Sequence, residues 1–283
     1  MRPGYAITDV LPLPKSSVKI PRLGFGVYKS PTSVCENSCL AALEAGYRHI
    51  DTAQFYANEQ EVGDAIRASG LERGDIFVTT KIMTPAGSSK ATYDKVLDSV
   101  RKIGGEDGYV DLFLIHSASA GATGRKEMWL ALEKLLEEGK TRSIGVSNYG
   151  AKHIEEMKHS LRVFSDRNIL FQLHPWCQQR VVDAYCKKHG IVIEAYCPLV
   201  RNYKGNAPVL VDLANKYGRT TAQILLRYSL QKNWVPLPKS DNPERIRANA
   251  NIYDFRLADE DMTTLDDLEM GADGAIVQAV ENE

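Results

Sequence analysis

Residues 46–59 read Gly-Tyr-Arg-His-Ile-Asp-Thr-Ala-Gln-Phe-Tyr-Ala-Asn-Glu. Gly46 follows a helical run, where a left-handed C-cap belongs. Tyr47–Asp51 is then an apolar strand that runs straight into a carboxylate, and Asn58-Glu59 starts the next helix. One short segment therefore contains a helix end, a buried strand, a loop and a helix start. That is the repeating unit of a chain in which strands and helices alternate. The loop also carries Tyr56, so a carboxylate and a phenol stand close together where a buried strand gives way.

The same unit recurs along the chain. Strands are expected at Gly24–Tyr28, Tyr47–Asp51, Ile76–Lys81, Val110–His116, Arg142–Ser147, Ile169–His174, Ile191–Tyr196 and Trp234–Pro238. Most are continuous apolar runs, the pattern of strands buried on both faces. Amphipathic helical stretches lie between them, such as Tyr93, Val96, Leu97 and Val100, or Met128, Trp129, Leu132, Leu135 and Leu136. Gly139 and Gly190 end two of these stretches as Gly46 does. Eight strands separated by helices in about 250 residues is what a (β/α)8 TIM barrel requires. A doubly wound sheet is the other α/β solution, but Gly24-Phe-Gly26 stops short of G-x-G-x-x-G after the first strand. No linker divides the chain, so one domain over residues 1–283 is expected, with its core at 21–268. Ile7–Pro21 is expected to cap the barrel base as a strand or hairpin. Gly271–Glu283 has little packing signal and reads as a mobile tail.

Composition narrows the function. The chain has 283 residues, 43% hydrophobic and 25% charged, with a net charge of −1. That is an ordinary globular balance and argues against a nucleic-acid surface. No apolar run reaches membrane-spanning length and the start lacks an apolar export signal, so a cytoplasmic protein is expected. The five cysteines are odd in number and are expected to be reduced thiols. Cys35 and Cys39, or His174, Cys177 and Cys186, have no second matched pair at zinc spacing, so no metal site is expected.

In such a barrel, chemistry sits at the C-terminal ends of the strands. Three adjacent strand ends finish in ionisable residues, at Asp51, Lys81 and His116, and Tyr56 lies in the loop after the first of them. A lone residue of this kind usually just satisfies a hydrogen bond or reaches to solvent; three on adjacent strands converge on one point. A phenol has an ordinary pKa near 10, too high for efficient proton transfer at neutrality. A neighbouring ammonium favours the phenolate, an imidazole can bond the same substrate oxygen, and a carboxylate can orient the ammonium. The set suits giving a proton to a carbonyl oxygen as it gains charge. No Ser or Cys nucleophile with an adjacent base is evident, so the site needs an external hydride donor.

These residues resemble the aldo-keto reductase family. Gly46–Glu59, the Lys81 strand end and Leu112–His116 (L-F-L-I-H) are similar to its Asp–Tyr–Lys–His tetrad. Gly145–Asn148 (G-V-S-N), Ala195–Leu199 (A-Y-C-P-L) and Leu237–Ile246 (L-P-K-S-D-N-P-E-R-I) resemble its cofactor segments, in the right order from Pro21 to Leu268. The resemblance implies reduction of an aldehyde or ketone with NADPH, by a cytosolic monomer whose partner is a small carbonyl compound. It makes Tyr56 the general acid, with Lys81 and Asp51 lowering its pKa, and makes His116 the group that orients the carbonyl. Ser147 and Asn148 would hold the carboxamide and Tyr196 would stack on the nicotinamide, in a segment ending at Leu199. Lys239, Ser240 and Arg245 would hold the 2′-phosphate, with Asn249 near the adenine. The phosphate group also makes sense unaided: Asn242-Pro243-Glu244 reads as N-cap, N1 and N2 of a helix, whose start favours a phosphate. Arg and Lys beside it favour NADPH over NADH.

The sixth strand departs from the family pattern. Where the family has a carboxamide-binding Gln this chain has Leu170, with Gln172 two residues on as the remaining polar candidate for the cofactor. The tail is also short, which opens a substrate pocket bounded by Tyr28, Phe55 and Ser117, with Trp176 more a packing residue. Two other readings follow from these departures. One is an NADP(H)-binding regulatory subunit; the other is a biosynthetic variant performing a redox-neutral or specialised step on a larger substrate.

Overall fold

The computed structural model describes residues 5–14, 16–160 and 168–277. Strands β1 (Val10–Pro12) and β2 (Lys19–Pro21) form an antiparallel hairpin with Leu11 opposite Ile20. Its Leu13, Val18 and Ile20 are buried in one cluster with Phe77 and Leu112, the first residues of two barrel strands. The hairpin therefore plugs the base, as expected.

The barrel follows as alternating elements. They are β3 (Phe25–Gly26), α1 (Thr32–Glu44), β4 (His49–Asp51), α2 (Glu59–Ala68), β5 (Phe77–Ile82), α3 (Ser89–Gly104), β6 (Leu112–Ile115) and α4 (Gly121–Glu137). Next come β7 (Ile144–Ser147), α5 (Ala151–Ser160), β8 (Asn168–Gln172), α6 (Arg180–His189) and β9 (Val192–Tyr196). The return to β10 (Val235–Pro236) uses two helices, α7 (Pro208–Tyr217) and α8 (Thr221–Gln231), and α9 (Pro243–Ala250) and α10 (Asp259–Asp266) complete the order. The eight strands β3–β10 pair in chain order, each parallel to the next. Backbone bonds from Gly24 N to Pro236 O (3.1 Å) and from Gly26 N to Pro238 O (3.0 Å) close the circle.

All eight strands lie within or overlap the segments read from sequence, and the first and last are shorter than their apolar runs. Pro236 and Pro238 have no N–H, so the last strand can only accept across the closure and its ladder stays short. Gly24 is needed at that seam: a Cβ there would lie 2.4 Å from Leu237 Cδ2 and 2.6 Å from His49 Nδ1. Gly139 and Gly190 both have φ of +69°, the left-handed ends expected of them.

The tail corrects the expectation of a segment with little packing. Met270 N donates to Trp176 O at 3.0 Å, and Gly274 lies so close that a Cβ would sit 1.8 Å from that oxygen. Val277 N then donates to Gln172 Oε1 at 2.8 Å. The chain after Leu268 thus docks on the barrel rim as far as Val277; residues 278–283 lie outside the described residues. Among the described residues no helix is long and apolar enough to cross a membrane.

Candidate active site

Parallel strands with side chains of period two put Asp51, Lys81 and Ser147 at the same end of the barrel, all pointing inward. Asp51 is the last residue of β4, Lys81 the fifth of β5, and His116 follows β6 directly. Tyr56 closes a short 3₁₀ turn over Gln54–Tyr56, and the turn folds its ring back over the strand ends. Lys81 is fully buried. Its Nζ lies 2.7 Å from Asp51 Oδ1, 2.6 Å from Asp51 Oδ2 and 2.7 Å from Thr52 O. The Tyr56 hydroxyl is 3.4 Å from the same nitrogen. The rings of Tyr56 and His116 meet edge to face at 5.6 Å. The four residues that the sequence suggested are therefore one cluster.

The electrostatics differ from expectation in one respect. Tyr56 is pushed well above the ordinary phenol value, first by burial and then by the Asp51 carboxylate. Lys81 and Asp51 therefore do not lower it, although the family resemblance implies that they would. Lys81 is engaged by three oxygens at 2.6–2.7 Å and stands farther from the phenol, so its charge is mostly answered before it reaches Tyr56. The phenol consequently keeps its proton across the neutral range. Burial also raises the Asp51 carboxyl, with the Lys81 ammonium working against it. His116 is lowered to about 3 by burial and by Lys81, which leaves a neutral imidazole beside the phenol.

A cleft of about 940 Å³ opens above this cluster. Asp51, Tyr56 and His116 line one end of it, and Lys239, Ser240, Arg245 and Asn249 the other. Between them lie Ser147, Asn148, Leu170, Tyr196 and Leu199. Asn148 stands at φ +56° and ties three strand ends together. Its Nδ2 donates to His116 O (3.0 Å) and Ser147 Oγ (3.1 Å), and its Oδ1 accepts from Tyr196 OH (2.8 Å). At the far end Asn242 caps α9, accepting from Arg245 N at 2.9 Å, with Pro243 in the first turn. Ser240 Oγ accepts from Asn242 N at 3.1 Å and from Arg245 Nε at 3.4 Å. Lys239 pairs with Asp241, which also accepts from Ser30 and Ser38. One end thus offers an aromatic face with amide and hydroxyl groups, the other a cationic helix start. A nicotinamide dinucleotide would find a partner for each of its ends here, and the donor set fits such a group.

The candidate substrate residues Tyr28, Phe55 and Ser117 also line the cleft. Phe55 is 60% exposed at its mouth, with its ring 6.5 Å from that of Tyr28. Trp176 is buried and does not line it. Gln172 is the predicted cofactor residue that the structure keeps out of the cleft lining. Its Oε1 accepts from Val277 N and its Nε2 pairs with His174 Nε2 at 3.0 Å, so it serves the docked tail. Leu170 faces the cleft in its stead, packed with Leu114 and Leu237.

Lys29, Asn202, Thr221 and Val277 line the cleft too and were not singled out from sequence. Asn202 belongs to a left-handed run, Val200 (φ +51°), Arg201 (φ +47°) and Asn202 (φ +63°). Only the Asn carries a sequence signal for that conformation; a β-branched Val there is held by its surroundings.

The chain is similar to known proteins along most of its length. The Aldo/keto reductase family model matches residues 29–270. An uncharacterized oxidoreductase of Schizosaccharomyces pombe is 42% identical over 258 residues, 90% of this chain and 92% of that one. A glyoxal reductase of Bacillus subtilis is 37% identical over 254 residues, 89% of this chain and 90% of that one. The crystal structure of a Bombyx mori aldo-keto reductase in complex with NADP is similar at a TM-score of 0.85 and 29% identity, covering 94% of each chain. With this fold, this site and these relatives, the chain belongs to the aldo/keto reductase family of oxidoreductases.

Proposed function

We propose that the protein reduces an aldehyde or ketone to an alcohol with NADPH, using Tyr56 as the general acid. The observation that carries this reading is the Tyr56 hydroxyl 3.4 Å from an ammonium that is itself fixed by Asp51. Bound NADPH supplies the hydride that the carbonyl carbon takes up. As the C=O electron pair moves onto oxygen, Tyr56 gives that oxygen its hydroxyl proton. The phenolate left behind faces the Lys81 ammonium, and Asp51 and Thr52 O keep the ammonium in place. The neutral imidazole of His116 donates an N–H to the same substrate oxygen and holds the carbonyl in line. Ser147 and Asn148 would hold the carboxamide and Tyr196 would stack on the nicotinamide, with Leu199 beside them in the cleft lining. Lys239, Ser240 and Arg245 would take the 2′-phosphate, which favours NADPH over NADH, and Asn249 would lie near the adenine.

Steady oxidation of NADPH, faster than that of NADH, with an activated aldehyde such as a nitrobenzaldehyde tests the reading. The glyoxal reductase relative puts a dicarbonyl on the same panel. The apolar Leu170 at the nicotinamide end favours a second reading, an NADP(H)-binding regulatory subunit; tight binding with no turnover over the panel selects it.

Leu170 also yields a quantitative expectation. A carboxamide facing an apolar wall lacks one partner, and a buried polar group left unpaired costs about 1–3 kcal/mol. Gln172 cannot make good the loss while it holds Val277 and His174. Leu170→Gln is therefore expected to tighten NADPH binding by about 1–3 kcal/mol, read by fluorescence titration. Unchanged affinity would mean that Leu170 is no handicap.

A further inference from the structure

The barrel layer beneath the tetrad contains polar side chains that the mechanism above does not use. Glu194 stands two residues before Tyr196 on β9, His49 two before Asp51 on β4, and Thr79 two before Lys81 on β5. With a period of two, each points inward one layer below the reacting groups. Glu194 and His49 are both fully buried, and Glu194 Oε2 is 3.5 Å from His49 Nε2. His49 Nε2 is 2.9 Å from Thr79 Oγ1. Neither Glu194 oxygen makes a hydrogen bond of good geometry, although the Asn168 side chain lies close enough to favour its charged form, and His49 Nδ1 has no partner. An ionised carboxylate is costly in such a place unless it is paired and bonded.

We propose that Glu194 is a positioning residue of the proton-transfer site: lying beneath Asp51 and Lys81, its carboxyl group sets how far the Lys81 ammonium is drawn away from Tyr56. This rests on the reductase reading above. The groups that face Glu194 are few. From β4 come His49 and Asp51 and from β5 comes Lys81, while its sheet neighbours on β8 and β10, Leu170 and Val235, carry no charge. Burial, and then the Asp51 carboxylate, raise Glu194 to about 8, with Lys81 and Asn168 opposing. His49 is lowered to about 3 by burial and by Lys81, so it stays neutral while Glu194 titrates. While Glu194 keeps its proton, Asp51 is the anion that faces Lys81. Once the proton is lost, a second anion pulls the ammonium down from a phenol already 3.4 Å away, and the phenolate formed in proton transfer loses its counter-charge.

Melting temperatures and kcat/KM for NADPH-dependent aldehyde reduction, followed against pH for wild type and Glu194→Gln, test the role. The unfolded chain releases this proton near 4.5 and the folded chain near 8, so the folded form binds more protons in that window. Stability contributed by the group therefore falls as pH rises from about 5 to about 8. Gln does not titrate, so the melting temperature of Glu194→Gln should gain on wild type by several degrees across that window. In parallel, wild type should lose kcat/KM relative to the variant by roughly ten-fold at about pH 9, the fraction of Glu194 then still protonated. Glu194→Leu is a second non-titrating variant with the same expected curves, should the amide fold poorly. A melting difference independent of pH overturns the proposal, and so does a pH-dependent one with superimposable kcat/KM profiles. Absence of turnover by wild type at every pH overturns the reductase reading and this role with it, whatever the melting curves do.

Discussion

Tyr56→Phe should lower kcat for carbonyl reduction by about 10²–10⁴-fold, the usual weight of a positioned general acid. The substitution removes one oxygen and leaves the ring, which packs edge to face on His116 at 5.6 Å and lies 5.0 Å from Tyr28. The cleft therefore keeps its shape, and NADPH affinity should stay at the wild-type level. The site offers no replacement donor of matching strength. His116 is neutral, and Lys81 is buried behind Asp51 and Thr52. The rate loss and the unchanged affinity are separable by stopped-flow turnover and fluorescence titration. A Tyr56→Phe protein that turns over at the wild-type rate would remove Tyr56 from the chemistry.

Lys81→Met is the second large effect, and it acts on stability as well as on rate. Deleting the ammonium leaves Asp51, 4% exposed, as a buried carboxylate without its partner. Breaking a buried pair in this way costs about 3–5 kcal/mol. The phenolate formed by Tyr56 also loses its counter-charge, which by analogy with removing one donor from a charge-stabilising site lowers kcat by about 10²–10³-fold. The two consequences separate in the double variant Asp51→Asn with Lys81→Met. Removing both charges should restore most of the stability and none of the rate, because the carboxylate's role runs through Lys81. Denaturant unfolding and steady-state kinetics on the same four proteins provide the cycle. Recovery of rate in the double variant would show that Lys81 is there for packing alone.

The barrel was legible because its strands are buried on both faces and so read mostly as apolar runs, as at Leu112–Ile115. The tetrad was legible for the same reason: Asp51, Lys81 and His116 stand out where those runs end. What could not be read depends on contacts distant in sequence. Gln172 looks like a cofactor residue by its strand position, but an amide from Val277, 105 residues away, claims its oxygen. The tail looks unattached because its docking uses backbone groups, Met270 N and Gly274 against Trp176 O, which no side-chain pattern announces. The direction of the Tyr56 shift is set first by how deeply the folded cleft buries the phenol, and then by the Asp51 carboxylate, and no local residue pattern announces that burial. The left-handed turn through Val200 and Arg201 is imposed by the fold against local preference.

In the proposed reaction hydride reaches the carbonyl carbon while Tyr56 supplies the proton. Turnover of an activated aldehyde with NADPH deuterated at the transferable position of C4 tests it most directly. The expected product is an alcohol carrying one deuterium on the former carbonyl carbon, formed mole for mole with NADP+, and formed far more slowly by Tyr56→Phe. An alcohol without deuterium, or NADPH bound and never consumed, would contradict it.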